Sequence, residues 1–258
     1  RFHPEEYNVP PHIKNSEQIA AIRTLAGELS ELLAWSLGQV RAGITTQAID
    51  MHIETRMREM GVRGPCKGYH GFPTVSCISV NSQVTHGIPD GTILREGDLV
   101  DIDIVIERHC YFADMSRTIT VGEASPQAQK LIRTTEECLA YGISAARPGG
   151  TLGDIGAAIQ NHAEKNGYSV VRDYCGHFIG IAMHEDPLVP NFGKKGRGTK
   201  LQPGMILCIE PMINEGSWQV ITRGWDARTA DGKLSSRCEH MVLITPTGHE
   251  VLTRFLPY

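Results

Sequence analysis

The sequence of 258 residues lacks several features that would assign it to a broad class of protein. No apolar run is long enough to span a bilayer, and no charged-then-apolar leader stands at the start. No long block of one charge sign occurs, and the formal net charge is -4, so bulk attraction to nucleic acid is not indicated. A cytoplasmic protein is the expectation.

Paired cysteines are also missing. The seven cysteines are scattered and odd in number, and none of them form a C-x-x-C pair, which argues against a disulfide framework and against a cysteine-type zinc site. With 41% hydrophobic and 21% charged residues, the composition is that of an ordinary globular protein. Composition alone names no function.

Capping residues and apolar residues at helical spacing predict four helices. The first runs from residue 16 to about 40, and the second from residues 45–46 to Gly61. The third begins at Ser125 and Pro126, and the fourth covers residues 151 to about 166. Residues 1–15 contain three prolines and are expected to form an extended arm.

Two carboxylates lie inside an apolar, β-branched stretch at residues 99–119. Asp is depleted in strands, and burying its charge is costly without a partner. A hairpin whose turn is centred between residues 108 and 109 would place Asp103 directly opposite Asp114, with Cβ atoms about 4.5–5.5 Å apart. Like charges that close share a proton or a metal ion. An edge hairpin with both carboxylates in water is the alternative.

Matches at one offset indicate an internal repeat. The segment REGDLVDID at residues 95–103 matches QPGMILCIE at 202–210, an offset of 107 that places Asp103 on Glu210 and His70 on His177. A shared period predicts two structurally equivalent halves. Two helix-helix-strand-strand halves would put their sheets side by side, with the acidic strands meeting at the seam.

Five side chains are candidates for a metal centre at that seam, namely Asp103, Asp114, His177, Glu210 and Glu239. Taken singly, such a histidine is more often a packed residue and such a glutamate is more often solvated. Together, four carboxylates carry about four negative charges, which two divalent cations would neutralise. Two ions about 3.5–4 Å apart generate hydroxide from a bridging water at neutral pH, so hydrolysis is the expected reaction.

Five motifs in this order resemble methionine aminopeptidase of type I. They are VTHGIP, DIDIVIERHCYFADMS, CGHFIGIAMHEDP, IEPMIN and SSRCEHMVLIT. The resemblance implies the α+β pita-bread fold, with an antiparallel sheet enclosing a dinuclear metal site in one catalytic domain (16–258) whose halves are about 16–122 and 123–250. Glu210 follows His184 by 26 positions, too few for the helical insertion of type II enzymes.

The resemblance also implies residue roles. Asp114 and Glu239 would bridge both ions, and Glu210 would shuttle a proton from water to the leaving amine. His86 would lie near the scissile nitrogen, and His184 would hydrogen-bond the substrate carbonyl oxygen; a packed core histidine is the alternative for both. The implied methionine pocket comprises Cys66, Tyr69, His70, Phe72, Cys77, Met183 and Trp225, together with His86 and His184.

Further expectations follow from the same resemblance. Asn81 and Ser235 would take part in a monovalent cation site. Phe178 and Met183 depart from the usual family pattern, in which Gly and an aromatic residue are common, and both are expected close to the substrate. The basic stretch at 193–200 is interpreted as a solvated loop, with a transient ribosome contact as the alternative.

The expected function is removal of the initiator methionine from nascent proteins when the second residue is small. Two divalent ions are expected as cofactors, with Co, Mn, Fe and Zn all open, and no DNA or membrane partner is expected for a chain that acts as a monomer. One alternative is a proline peptidase of the aminopeptidase P or prolidase type on the same fold. A metal-free binding protein is the other.

Overall fold

The structure, a computed structural model, describes residues 11–258. The predicted arm falls mostly on residues 1–10, outside the described part, and residues 11–15 form neither helix nor strand. All four predicted helices are present: α1 (Ser16–Leu37), α2 (Thr46–Met60), α3 (Pro126–Ala145) and α4 (Leu152–Lys165). Among the described residues, no helix has both the length and the apolar character to cross a membrane.

Side chains cap the helix starts that the sequence marks. Asn15 caps α1 by accepting from the backbone N–H of Gln18, whose side chain accepts in return from the Asn15 N–H. Thr45 caps α2 by accepting from the backbone N–H of Ala48, and Thr151 caps α4 through a reciprocal pair of bonds with Asp154, at a spacing of 106 residues that is close to the repeat offset. Each half of the repeat therefore begins its second helix with the same local chemistry.

Fourteen strands occur in the described residues: β1 (Ser76–Val80), β2 (Gln83–Thr85), β3 (Leu99–Arg108), β4 (Tyr111–Thr120), β5 (Ser169–Val170), β6 (Gly176–Phe178), β7 (Glu185–Val189), β8 (Ile206–Ile209), β9 (Met212–Asn214), β10 (Val220–Arg223), β11 (Asp226–Thr229), β12 (Ser235–Arg237), β13 (His240–Thr245) and β14 (Gly248–Val251). They form antiparallel sheets with strand orders β1-β3-β4, β10-β11-β2, β12-β9-β5 and β14-β13-β8-β6-β7. A short 3-10 turn covers Tyr69–Gly71.

The β3-β4 hairpin is confirmed, but its predicted register is wrong. Asp103 pairs with Ser116, and Asp114 pairs with Val105. The turn contains only His109 and Cys110, both with positive φ (53° and 63°), so its centre lies one residue further along. Because side chains alternate with a period of two, this shift moves each partner by two positions and keeps both carboxylates on one face as diagonal neighbours.

Each helix pair covers its own sheet. One core joins α1 and α2 to β1, β3 and β4 through buried residues such as Leu29, Ile49 and Ile102. A second core joins α3 and α4 to β6, β8 and β13 through residues such as Ile159 and Leu207. This arrangement confirms the two helix-covered halves predicted from the repeat, and it agrees with the pita-bread fold that the resemblance implies.

The sheet of the first half meets the second half where β4 passes the connection between β12 and β13. The N–H of Glu239 donates to the carbonyl oxygen of Ser116 at 3.0 Å, and the N–H of Arg237 donates to Thr118 Oγ1 at 2.9 Å. These bonds fix the acidic hairpin of the first half against the acidic segment of the second. The seam is thus where charged side chains from both halves come together.

Candidate metal centre

All five predicted ligands lie at this seam. Asp103 and Asp114 are on β3 and β4, His177 is on β6, Glu210 follows β8, and Glu239 lies between β12 and β13. None is more than 6% exposed. His177 Nε2 lies 3.5 Å from Asp114 Oδ2 and 3.7 Å from Glu210 Oε1. Strands that are far apart in sequence therefore bring one imidazole and four carboxylates into a single buried cluster.

The cluster has the properties of a divalent metal site. Among the described residues, Asp103 Oδ1, Asp114 Oδ1 and Glu239 Oε1 are buried without a hydrogen-bond partner, a costly state for a carboxylate. His177 Nδ1 donates to the carbonyl oxygen of Phe178 at 2.9 Å, which leaves the lone pair of Nε2 directed at the acids. Ligand atoms of Asp114, His177, Glu239 and Cys208 all lie within 4.8 Å of one another.

Burial sets the electrostatics of these acids. Removal from water raises the pKa of Asp114 and of Glu210 well above the usual range, and raises the pKa of Glu239 to about 8, with repulsion from neighbouring carboxylates adding to the effect. A cation at the cluster would favour their ionised forms. Cys208, which the sequence analysis did not select, has a thiol whose pKa burial also raises.

Arg237 is a site residue that the sequence analysis missed. Its guanidinium is buried and donates from Nη1 to Asp103 Oδ2 and, at 3.2 Å, to Thr85 Oγ1. Nη2 lies 2.8 Å from Glu210 Oε2 and 2.8 Å from Glu239 Oε2. The signal was available, because residues two apart in an extended segment face the same side, and Arg237 precedes Glu239 by two.

Asp101 was missed for the same reason. It precedes Asp103 by two positions in β3, and its Oδ2 lies 4.0 Å from Arg237 Nη1. Burial raises the pKa of Asp101 to about 8, although the charge of Arg237 opposes that shift. The acidic face of β3 therefore carries two carboxylates that approach one guanidinium.

His86 lies on the wall of the cavity above the cluster. Its φ of 56° is left-handed, a conformation that costs energy for a side chain other than Gly and is concentrated at functional sites. Its ring packs edge-on against the rings of Tyr174 and Trp225, with centroids 5.4 and 5.8 Å away. Burial lowers the pKa of His86 to about 4, so the ring is neutral at neutral pH.

His184 also lines the cavity and is exposed. Its Nδ1 is 3.1 Å from the hydroxyl of Tyr69, and its ring is edge-on to His177 at 4.5 Å. Burial of much of the ring lowers the pKa of His184 to about 3, and repulsion from His177 and His86 adds to this shift. Part of the residue nevertheless remains exposed. Its ring is therefore a neutral group that can donate one N–H.

A cavity of ≈ 290 Å³ opens onto the cluster. Every residue expected in the methionine pocket lines it, namely Cys66, Tyr69, His70, Phe72, Cys77, His86, Met183, His184 and Trp225. The rings of Phe72 and Trp225 meet edge-on with centroids 5.2 Å apart. Tyr174, Cys175, Leu188 and Met212 also line the cavity and were not selected from sequence.

Phe178 and Met183 have different positions. Met183 lines the cavity as expected. Phe178 is fully buried in the core under α3 and α4, so its expected position close to the substrate is wrong. The reason is strand alternation, since His177 faces the cavity and the next residue faces the opposite side.

Asn81 and Ser235 are brought together at one corner of the seam. The N–H of Ser235 donates to the carbonyl oxygen of Asn81 at 2.9 Å. The Asn81 side chain donates to Asp98 and accepts from the N–H of Leu99, while the Ser235 hydroxyl donates to Asn214. Their side chains are therefore already engaged by protein groups.

Fold and site together define a class, the metal-dependent hydrolases built on the pita-bread fold. The model of metallopeptidase family M24 matches residues 20–246, and the chain belongs to this family. It is 46% identical over 232 residues to methionine aminopeptidase A of Synechocystis sp., covering 88% of this chain and 92% of that protein. It is 47% identical over 243 residues to methionine aminopeptidase of Clostridium perfringens, covering 93% and 98%.

Solved structures give the same result. The crystal structure of methionine aminopeptidase from Rickettsia prowazekii has a TM-score of 0.94 and 35% identity, covering 95% of this chain and 100% of that one. The prolidase from Pyrococcus horikoshii is more distant, with a TM-score of 0.78 and 22% identity over 64% of its own chain, and it shows the shared fold alone. Residues 185–209 contain no helix, as expected for type I.

Proposed function

We propose that this chain removes the initiator methionine from nascent proteins whose second residue is small. The observation that carries the proposal is the buried cluster of one imidazole and four carboxylates at the base of a cavity lined by sulfur and aromatic side chains. The family relationship and the similarity to methionine aminopeptidases support it. We also propose that residues 16–258 act as one catalytic domain with two halves, about 16–122 and 123–250.

The pocket suits a methionine side chain. Cys66, Cys77 and Met183 contribute sulfur atoms, and Phe72 and Trp225 contribute ring edges. Contacts between sulfur and aromatic rings are favourable, and a narrow slot disfavours branched side chains. A charged side chain would be left unpaired there, which costs free energy. Selectivity for an unbranched thioether follows.

In this proposal Asp114, His177, Glu210 and Glu239 hold a divalent ion, and Asp103 would be the further ligand that a second ion requires. A bound divalent ion supplies Lewis acidity, which polarises the scissile carbonyl and lowers the pKa of water. Co, Mn, Fe and Zn all suit an oxygen-rich donor set with one imidazole. Binding of two ions requires Asp103 to be free to act as a ligand. If Asp103 stays paired with Arg237, the site holds one ion. A monovalent cation near Asn81 and Ser235 stays a prediction.

Three side chains handle the substrate and its protons. His184 is neutral and held by Tyr69, so its free nitrogen can donate to the carbonyl oxygen as negative charge develops there. His86, which lines the same cavity, orients the scissile nitrogen. Glu210 carries a proton from the attacking water to the leaving amine. Tyr69 positions His184 without contacting the reacting atoms.

Nascent chains as substrates imply a cytoplasmic enzyme that meets the ribosome transiently. The residues at 193–200 are mostly exposed, and the loop is attached to α4 through the bond from the N–H of Gly153 to the carbonyl oxygen of Arg197 at 2.9 Å. We propose a monomer with neither DNA nor membrane as partner.

Peptide hydrolysis tests the function. Steady-state rates for Met-Ala-Ser, Met-Leu-Ser and Ala-Pro-Ala are compared after chelation and re-addition of each of the four metals. Metal-dependent cleavage of Met-Ala-Ser, with much slower cleavage of Met-Leu-Ser, is expected. Preference for Ala-Pro-Ala would favour a proline peptidase, and failure to bind any divalent ion would favour a non-catalytic protein.

A further inference from the structure

The acidic cluster has two sides. On one side, His177 Nε2 faces Asp114 Oδ2 at 3.5 Å and Glu210 Oε1 at 3.7 Å. On the other, Arg237 holds Asp103 Oδ2, Glu210 Oε2 and Glu239 Oε2. Glu210 thus divides its two oxygens between an imidazole and a guanidinium. Glu239 gives one oxygen to the guanidinium and keeps the other without a hydrogen-bond partner among the described residues.

We propose that this site binds one divalent ion tightly, on the His177 side, and that the Arg237 guanidinium takes the place of a second ion beside Asp103. The inference rests on the proposed function, which it deepens by fixing the number of ions. Its ligands are His177 Nε2, Asp114, Glu239 Oε1 and Glu210 Oε1. Asp103 then acts as a positioning residue for Arg237.

Arg237 is well fixed in this place. A guanidinium stays charged at any physiological pH, so its charge cannot be removed by loss of a proton. The side chain is 4% exposed, and Thr85 Oγ1 gives it a further acceptor. Its backbone is fixed as well, because the Arg237 N–H donates to Thr118 Oγ1 and its carbonyl oxygen accepts from the same hydroxyl.

Asp103 is poorly placed to bind a second ion. One of its oxygens is taken by Arg237, which leaves only Oδ1 without a partner. A dication at Oδ1 would lie close to the guanidinium in a buried environment, where repulsion between like charges is strong. On the His177 side an ion would bind His177 Nε2 and Glu210 Oε1, whereas Arg237 contacts Glu210 Oε2, so the carboxyl group of Glu210 lies between that ion and the guanidinium.

Arg237 also lines the substrate cavity. A fixed positive charge beside Asp103 would therefore face the bound substrate from the position that a second ion would otherwise take. Unlike an ion, it cannot be removed by a chelator or exchanged for another metal. The proposal is therefore tested by measuring how many metal ions one chain binds.

Calorimetric titration of the metal-free full chain with Mn²⁺ measures that number directly. One Mn²⁺ per chain is expected, with an electron paramagnetic resonance spectrum of isolated ions. Two Mn²⁺ per chain with a spin-coupled spectrum would overturn the proposal. This readout does not depend on catalysis: two ions with active hydrolysis would refute only the inference, whereas one ion without hydrolysis of Met-Ala-Ser would refute only the proposed function.

Paired variants test the assignment of ligands. Loss of a residue that only contacts a metal ligand weakens metal binding by about 10–100-fold. Because Asp114 is a ligand itself, Asp114→Asn is expected to weaken Mn²⁺ binding by about a hundredfold or more. Asp103→Asn is expected to weaken it by about tenfold at most, the lower end of the range for outer partners, because Asp103 contacts Arg237 and not the ion. Equal weakening by the two variants would contradict the assignment.

Replacing the guanidinium itself provides the gain-of-site test. Arg237→Gln should bind a second Mn²⁺ and show the spin-coupled spectrum, whereas Arg237→Lys, which keeps the charge, should bind one. A single ion in folded Arg237→Gln would contradict the claim that the guanidinium excludes the second. If Arg237→Gln does not fold, the wild-type stoichiometry and the Asp103 and Asp114 pair still decide the proposal.

Discussion

Replacing Lys14 with Met tests how the loop that carries His184 is held. Lys14 Nζ lies 2.6 Å from Glu185 Oε2, and the two side chains are 0% and 9% exposed. The other oxygen of Glu185 accepts from the N–H groups of Ile181 at 2.8 Å and Ala182 at 3.3 Å. The pair therefore ties the beginning of the described chain to the loop that precedes Met183 and His184.

The magnitude follows from burial. Removing one partner of a buried ion pair typically costs about 3–5 kcal/mol, because the other charge stays buried without compensation. Glu185 would keep its two backbone donors, so we expect the lower end, about 3 kcal/mol. At about 2–4 °C per kcal/mol for a chain of this size, Tm should fall by about 6–12 °C. Lys14→Met combined with Glu185→Gln should recover part of the loss, since no charge is then left unpaired.

Thermal and urea unfolding of the metal-free chain measure this effect. Arg23→Met is the matched control, because Arg23 pairs with Glu250 at 2.7 Å but their side chains are 46% and 38% exposed. Exposed pairs contribute about 0.2–1 kcal/mol, so this control should shift stability little. If Lys14→Met destabilises the chain no more than Arg23→Met, the buried pair does not hold the loop in the way argued.

Three further predictions concern the site. Glu210→Gln should abolish metal-dependent hydrolysis of Met-Ala-Ser while the circular dichroism spectrum is kept; wild-type turnover would contradict its role. His184→Ala should lower kcat by about 10²–10³, the usual cost of one oxyanion donor, whereas a change in KM alone would indicate positioning. Phe178→Ala should cost about 3–5 kcal/mol of stability, measured by urea unfolding, with an unchanged KM for Met-Ala-Ser. A raised KM with normal stability would place its ring in the pocket.

The helices were predictable from sequence because their signals are local. Thr45, Ser125 and Thr151 each accept a hydrogen bond from the backbone of the first turn, and a cap of this kind needs only neighbouring residues. The end of α1 was less well predicted, at about residue 40 rather than at Leu37, because the apolar residue Val40 continues the helical spacing after the helix has ended. Helix ends depend on packing as much as on spacing.

The register of the β3-β4 hairpin was not predictable from the same kind of signal. His109 and Cys110 occupy turn positions with positive φ that usually carry Asn and Gly, so their identity gave no reason to centre the turn between them. The side of the sheet was nevertheless correct, since an error of two positions preserves alternation. The two candidate ligands on the hairpin, Asp103 and Asp114, were therefore placed on the right face with the wrong cross-strand partners.

The net charge of the acidic cluster was the property that the sequence predicted least well. Counting only acids gave four negative charges and hence two dications, but strand alternation obliges any residue two positions from a buried ligand to face the same space. Applied to Glu239, that rule selects Arg237, and applied to Asp103 it selects Asp101, which is also buried. Arg237 brings a positive charge that occupies one oxygen of Asp103, and Asp101 brings a further carboxylate, so a count of the four selected acids alone does not give the charge of the cluster. The net charge of a site can therefore be calculated from its motifs only when the residues two positions away from each ligand are included.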